Sequence, residues 1–143
     1  MADALAERVR RRASACCEYC LLPKAYCVLP FELEHILPKQ HGGLREFGNL
    51  AFACLHCNRH KGPNLTGIDR IGGRRKLMSL FNPRRQLWSR HFRLDGPRLT
   101  GRTPVGRATI AVLNMNDSLM VELRQELIAE GRYPPQRRNQ PSA

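Results

Sequence analysis

The chain has 143 residues, 42% of them apolar, and a formal net charge of +12. That length suits one domain, or a small core with attached arms, and a modest core that a metal staple would help to hold. No run nears the roughly 18 consecutive apolar residues of a membrane span, and Arg8, Arg10, Arg11 and Arg12 stand where a leader would be apolar, so a cytoplasmic protein with reduced thiols is expected.

The elements follow in chain order. Residues 3–13 read as a short helix with Leu5 and Val9 on one face. Cys16 to Cys20 form a first knuckle. Residues 31–36, Phe-Glu-Leu-Glu-His-Ile, alternate apolar and polar as a strand does, and Pro38 ends it. Residues 38–48 read as a loop, and 49–53, Asn-Leu-Ala-Phe-Ala, as a second strand. A second knuckle, Cys54 to Cys57, opens into a helical turn at 57–61.

Residues 62–76 hold several Gly and Arg and read as a flexible linker. Residues 80–95 read as a turn plus a strand, with Trp88 and Phe92 in the core. Thr103 is a helix N-cap with Pro104 at the first helical position. Val105, Ala108, Thr109, Val112 and Leu113 line that helix. A last helix runs from about Asp117 to Glu130, with Leu119, Met120, Leu123, Leu127 and Ile128 as its apolar stripe. Residues 134–143 read as a disordered tail.

Charge is unevenly placed along this order. Residues 61–107 carry 12 basic and two acidic side chains, while the segments before and after nearly balance. Ten of the 12 are Arg, which pairs with phosphate bidentately. This is the footprint of a polyanion partner. Arg59, Lys61, Arg74, Arg75, Arg84 and Arg85 are the candidate nucleic-acid contacts, each of which could instead be only solvated.

The six cysteines of a reducing compartment read better as metal ligands than as disulfides. Cys17/Cys20 and Cys54/Cys57 are two Cys-x-x-Cys turns that can close a tetrahedral zinc site. The spacing to Cys20 favours Cys17 over Cys16, and Cys16 and Cys27 read as spare core thiols. Between the knuckles stands Glu34-His35, an acid–histidine step. A carboxylate and an amide oxygen are hard ligands suited to Mg²⁺ or Mn²⁺, and a histidine titrating near neutrality can take a proton from water. His56 and His60 read first as solvent-facing, with His60 also able to reach phosphate or metal; His41 reads as a minor-groove contact or as without a role, and His91 as structural or a DNA contact.

The run Cys-Glu-Tyr-Cys, Glu-His-Ile-Leu-Pro-Lys-Gln-His-Gly-Gly, Asn-Leu, Ala-Cys-Leu-His-Cys-Asn-Arg-His-Lys-Gly, over about residues 16–62, resembles the HNH endonuclease family of the four-cysteine zinc-knuckle type. The resemblance implies a small α+β fold: a ββα-metal core with a structural zinc site of four cysteines, here followed by a C-terminal helical extension. It implies His35 as general base, Glu34 and Asn58 as ligands of a catalytic Mg²⁺ or Mn²⁺, and Asn49 as the residue that ties the hairpin loop and so fixes His35. The third motif position is Asn58, not His, which bears on metal preference. The implied activity is hydrolysis of DNA phosphodiester bonds, by nicking or double-strand cutting, with double-stranded DNA as partner. A noncatalytic zinc-ribbon DNA-binding module is the alternative, and a homodimer is compatible with either. The division expected is an N-terminal arm at 1–15, the core at 16–62, a basic extension at 63–133 and the tail at 134–143.

Overall fold

Asp3 caps helix α1 (Ala4–Arg12), its Oδ1 accepting from Leu5 N and Ala6 N at 3.1 Å each. The computed structural model describes residues 3–136, so most of the expected disordered tail lies outside the described residues. Strand β1 (Phe31–His35) pairs antiparallel with β2 (Leu50–Cys54), which sets His35 opposite Leu50 and Glu34 opposite Ala51. Helix α2 (Leu55–Lys61) follows β2 directly and packs on both strands.

Every residue of β2 is buried because both its faces are covered. Leu50 and Phe52 meet Val9 and Ala13 around α1, while Ala51, Ala53 and Cys54 turn to the main core. The period of two separates Leu50 and Phe52 from Ala51 and Ala53, while Cys54 at the strand's end leaves that alternation to enter the second knuckle. Cys17, Cys20, Cys54 and Cys57 sit in the same apolar cluster as Phe81, Trp88, Phe92, Leu113, Met115 and Leu127. The knuckle segment and the basic extension therefore share one core. Trp88 Nε1 donates to Tyr19 O at 2.7 Å, and the Tyr133 hydroxyl donates to Cys20 O at 2.7 Å, which pins two aromatic rings to the first knuckle.

The stretch expected to be a flexible linker is largely ordered. Strands β3 (Thr66–Asp69) and β4 (Lys76–Ser79) form an antiparallel hairpin laid on helix α4 (Pro104–Leu113). Its Gly-Arg content masks two short strands, and what fixes them is tertiary. Asp69 accepts a bidentate pair from Arg107 at 2.8 and 3.0 Å. A side chain at position 67 would meet Val112 at 2.5 Å, so only glycine lets β3 lie this close to the helix. Residues 80–95 hold a short helix α3 (Trp88–His91) as well as β5 (Phe92–Asp95), which pairs with β6 (Arg98–Gly101).

Thr103 caps α4 by accepting from Gly106 N at 3.1 Å, and Asp117 caps helix α5 (Ser118–Ala129) through Leu119 N at 3.1 Å. Within the α5 stripe Leu127 is buried, but Leu119 is 72% exposed. The guanidinium of Arg124 is fully buried and anchors α5 by donating to Pro97 O at 2.6 Å and Met115 O at 2.7 Å.

Gly106 gives a direct test of this packing. A Cβ there would lie 1.9 Å from His91 O, a backbone atom that cannot step aside. Gly106→Ala is expected to destabilise the chain by about 1–3 kcal/mol, read as a lower denaturant midpoint. An unchanged midpoint would show that α3 and α4 do not meet here.

Candidate functional site

Two knuckles build a candidate metal centre. The Sγ atoms of Cys17, Cys20, Cys54 and Cys57 all lie within 4.8 Å of one another, and all four residues are buried. Zn–S bonds of about 2.3 Å in a tetrahedron place sulfurs about 3.8 Å apart, and Cys20 Sγ lies 3.7 Å from Cys54 Sγ. In each turn a backbone N–H points at the first sulfur: Cys20 N to Cys17 Sγ at 3.5 Å, and Cys57 N to Cys54 Sγ at 3.4 Å. The donor set, its spacing and its apolar surround fit a closed structural Zn²⁺ site. Cys16 Sγ instead donates to Ser14 O at 3.3 Å, and Cys27 Sγ to Pro23 O at 3.2 Å. Burial pushes the Cys27 thiol up to about 11, so it stays protonated.

The first knuckle also reaches into the strand pair through the two residues between its cysteines. Glu18 accepts from Phe52 N at 2.8 Å and is ion-paired with Arg84. Tyr19 donates its hydroxyl to Glu34 Oε2 at 2.6 Å. Glu34 Oε1 in turn lies 2.5 Å from Lys61 Nζ, both side chains being 2% exposed. Lys61 completes its shell on the carbonyls of His35 at 3.3 Å and Ile36 at 3.1 Å. A buried lysine with a carboxylate and two carbonyl partners links α2, β1 and the knuckle in one network.

The loop after β1 is held from both sides. Asn49 Oδ1 accepts from Leu37 N at 2.9 Å, and its Nδ2 donates to Leu37 O and Leu44 O at 3.0 Å each. Gly43 tucks under this bridge, where a Cβ would stand 1.7 Å from Leu37 O. From the other side Arg12 donates to Phe47 O at 2.7 Å and Leu50 O at 2.6 Å, with its guanidinium 3.8 Å over the Phe47 ring.

These elements frame an open depression of about 340 Å³, lined by Glu34, His35, Pro38, Lys39, Asn58 and Pro63, among others. His41 Nε2 donates to Pro63 O at 3.1 Å and ties its two rims together. His35 Nε2 is buried and has no hydrogen-bond partner among the described residues. Burial, with Lys39, Arg45 and Lys61 nearby, holds the imidazole below the ordinary histidine range. Asn58 Nδ2 donates to Glu32 Oε2 at 3.0 Å. The structure thus brings Glu34, His35 and Asn58 to one depression, with Asn49 tying the loop behind it.

The six expected phosphate contacts divide. Arg59, Arg74, Arg75 and Arg85 are exposed. Lys61 is not, since its ammonium is engaged by Glu34 and two carbonyls inside the protein. Arg84 is also drawn inward, 14% exposed at its side chain and paired with buried Glu18. Neither is placed to grip a phosphate. His56 and His60 are structural: His56 Nε2 donates to Asn114 O at 2.8 Å, and His60 Nδ1 to His56 O at 2.8 Å. Sequence reasoning missed Glu18, Tyr19 and Arg12. Position between two ligand cysteines is the signal that could have found the first two.

Two outcomes test this construction. Lys61→Met leaves Glu34 buried without its cation and is expected to cost about 3–5 kcal/mol in a denaturation midpoint; a neutral result would place Glu34 in solvent. Native mass spectrometry is expected to find about one Zn²⁺ per chain, lost with a large fall in melting temperature in Cys54→Ser. Full folding without metal would contradict the ligand assignment.

No curated protein and no solved structure matches the chain. Among the described residues no helix is long and apolar enough to cross a membrane. Residues 17–64, which hold both knuckles, the β1–β2 pair and the depression's lining, match the family model described as HNH endonuclease.

Proposed function

We propose that this protein is a cation-dependent endonuclease that hydrolyses phosphodiester bonds of double-stranded DNA, with His35 as general base. The observation that carries this reading is the meeting of His35 with Glu34 and Asn58 at one open depression, the imidazole held below the ordinary histidine range by burial and neighbouring cations. A neutral imidazole carries one unprotonated ring nitrogen that can accept a proton. The ββα-metal arrangement follows from the same reading, with α2 carrying Asn58 to the end of β1.

The residues present fit a hard cation. Asn58 offers an amide oxygen. Glu34 uses one acceptor position for Tyr19 and one for Lys61, and a carboxylate has about four, so the group that is held from within can still face the depression. A bound Mg²⁺ or Mn²⁺ would neutralise charge on the phosphate and on the leaving oxygen. The His35 imidazole takes a proton from a water in the depression, and the resulting hydroxide oxygen attacks phosphorus. The bond from phosphorus to the 3′ oxygen breaks, and that oxygen takes a proton from solvent. The products carry 5′-phosphate and 3′-hydroxyl ends. Asn49 and Lys61 move no proton; they hold the loop and the His35 carbonyl in place. Arg59 on α2 and Arg85, next to the cleft that Ile36 and Leu37 share with Gln86, supply charge for the backbone.

Supercoiled plasmid incubated with Mg²⁺, Mn²⁺ or EDTA tests the reading. Cation-dependent nicked or linear product is expected, falling about 10²-fold or more in His35→Ala. The pH profile adds a sign. The base must be unprotonated, and its pKa lies below the ordinary value, so on acidification cutting is expected to persist to a lower pH than an ordinary histidine base would allow. No product with either cation, beside a normal salt-sensitive gel shift, would instead favour a noncatalytic zinc-binding DNA module.

A further inference from the structure

The arginines of residues 61–107 do not all gather at the depression. Hairpin β3–β4 starts beside it: Leu65, Ser79 and Leu80 line the cleft that also holds Ile36, Leu37 and Lys61. From that root β3 runs along α4 for four residues at about 3.3 Å each, so its far end lies roughly 13 Å away. There the tip presents Arg70, Arg74 and Arg75, all exposed. The tip is not a loose loop. Asp69, next to Arg70, grips Arg107 through two hydrogen bonds.

The same Arg107 is the meeting point of the second hairpin. A Cβ on Gly101 would stand 2.5 Å from Arg107 Cγ and N, so the end of β6 lies against α4 at this point. Arg102 follows Gly101 and donates its N–H to His91 O at 2.8 Å, beside Arg90. Arg90 and Arg102 are exposed. Two hairpin ends and the short helix α3 thus converge on the N-terminal half of α4 and bring five exposed arginines into one neighbourhood. Asp69, the acid in that neighbourhood, is neutralised by Arg107.

Evenly spread charge would serve solubility; these five arginines sit on elements that pack against α4. We infer that Arg70, Arg74, Arg75, Arg90 and Arg102 form a second track for duplex DNA, which grips the backbone on one side of the cleavage point. At 3.4 Å per base pair, the roughly 13 Å offset corresponds to about four base pairs. The inference rests on the nuclease reading for what lies at the other end of the track. It assigns Arg90 and Arg102 a role that their place in the sequence did not suggest.

Binding of a fluorescent 30-base-pair duplex, followed by anisotropy in EDTA from low to high salt, tests it without cutting. The triple substitution Arg70→Ala, Arg90→Ala, Arg102→Ala removes exposed side chains that neither fill the core nor cap an element. The slope of log K against log salt is expected to flatten by about 0.9 for each phosphate no longer neutralised, with a fall in affinity of about 10²-fold at 0.1 M salt. Hydroxyl-radical footprints of the wild-type protein are expected to extend further on one side of the cut, and to lose that extension in the variant. An unchanged slope in a folded, zinc-loaded variant would overturn the track, as would tighter binding to duplex RNA of the same sequence. If the wild type shows the track-dependent slope but never cuts, the nuclease reading fails and the track stands.

Discussion

A buried ammonium–carboxylate pair is the constraint on which the rest of this structure turns. Lys61 and Glu34 meet at 2.5 Å with almost no exposure. Two charges can be taken from water in this way only when their remaining valences are filled. Here Tyr19 fills one on the carboxylate, and the carbonyls of His35 and Ile36 fill two on the ammonium. The partners come from the first knuckle, the first strand and the end of α2. The pair therefore fixes where the strand stops and the loop begins, which is where His35 sits.

The cysteine cluster supplies the second half of that constraint. Four sulfurs within 4.8 Å join the turn that carries Tyr19 to the turn that starts α2. A metal held there would set the distance between Tyr19 and Lys61, so that scaffold and candidate site would be one construction. The apolar cluster extends the same logic, because Trp88 and Tyr133 bond to carbonyls of the first knuckle. Residues beyond the matched domain thus complete its core.

The fold was legible in the sequence where local chemistry decides. The cap at Thr103, the helix start near Asp117, the alternation of Phe31 to His35 and the paired Cys-x-x-Cys turns all act over a few residues, and the structure follows them. It was not legible where the partner is distant in sequence. The β3–β4 hairpin depends on Arg107 and on the face of α4, so its Gly- and Arg-rich strands looked like a linker. Lys61 and Arg84 looked like phosphate contacts because a sequence counts charges without showing which of them a buried glutamate has claimed. Leu119 was assigned to an apolar stripe, but α5 turns it outward.

On the proposed reading Glu34 serves two sides at once, held from within by Tyr19 and Lys61 while its depression takes a cation beside His35. Anomalous diffraction from crystals of His35→Ala protein with duplex DNA and Mn²⁺ tests it most directly. An Mn²⁺ peak is expected within about 2.5 Å of Glu34 and Asn58 oxygens, with the Lys61–Glu34 pair intact. A peak elsewhere, or a Glu34 that has left Lys61 to reach the cation, would contradict it.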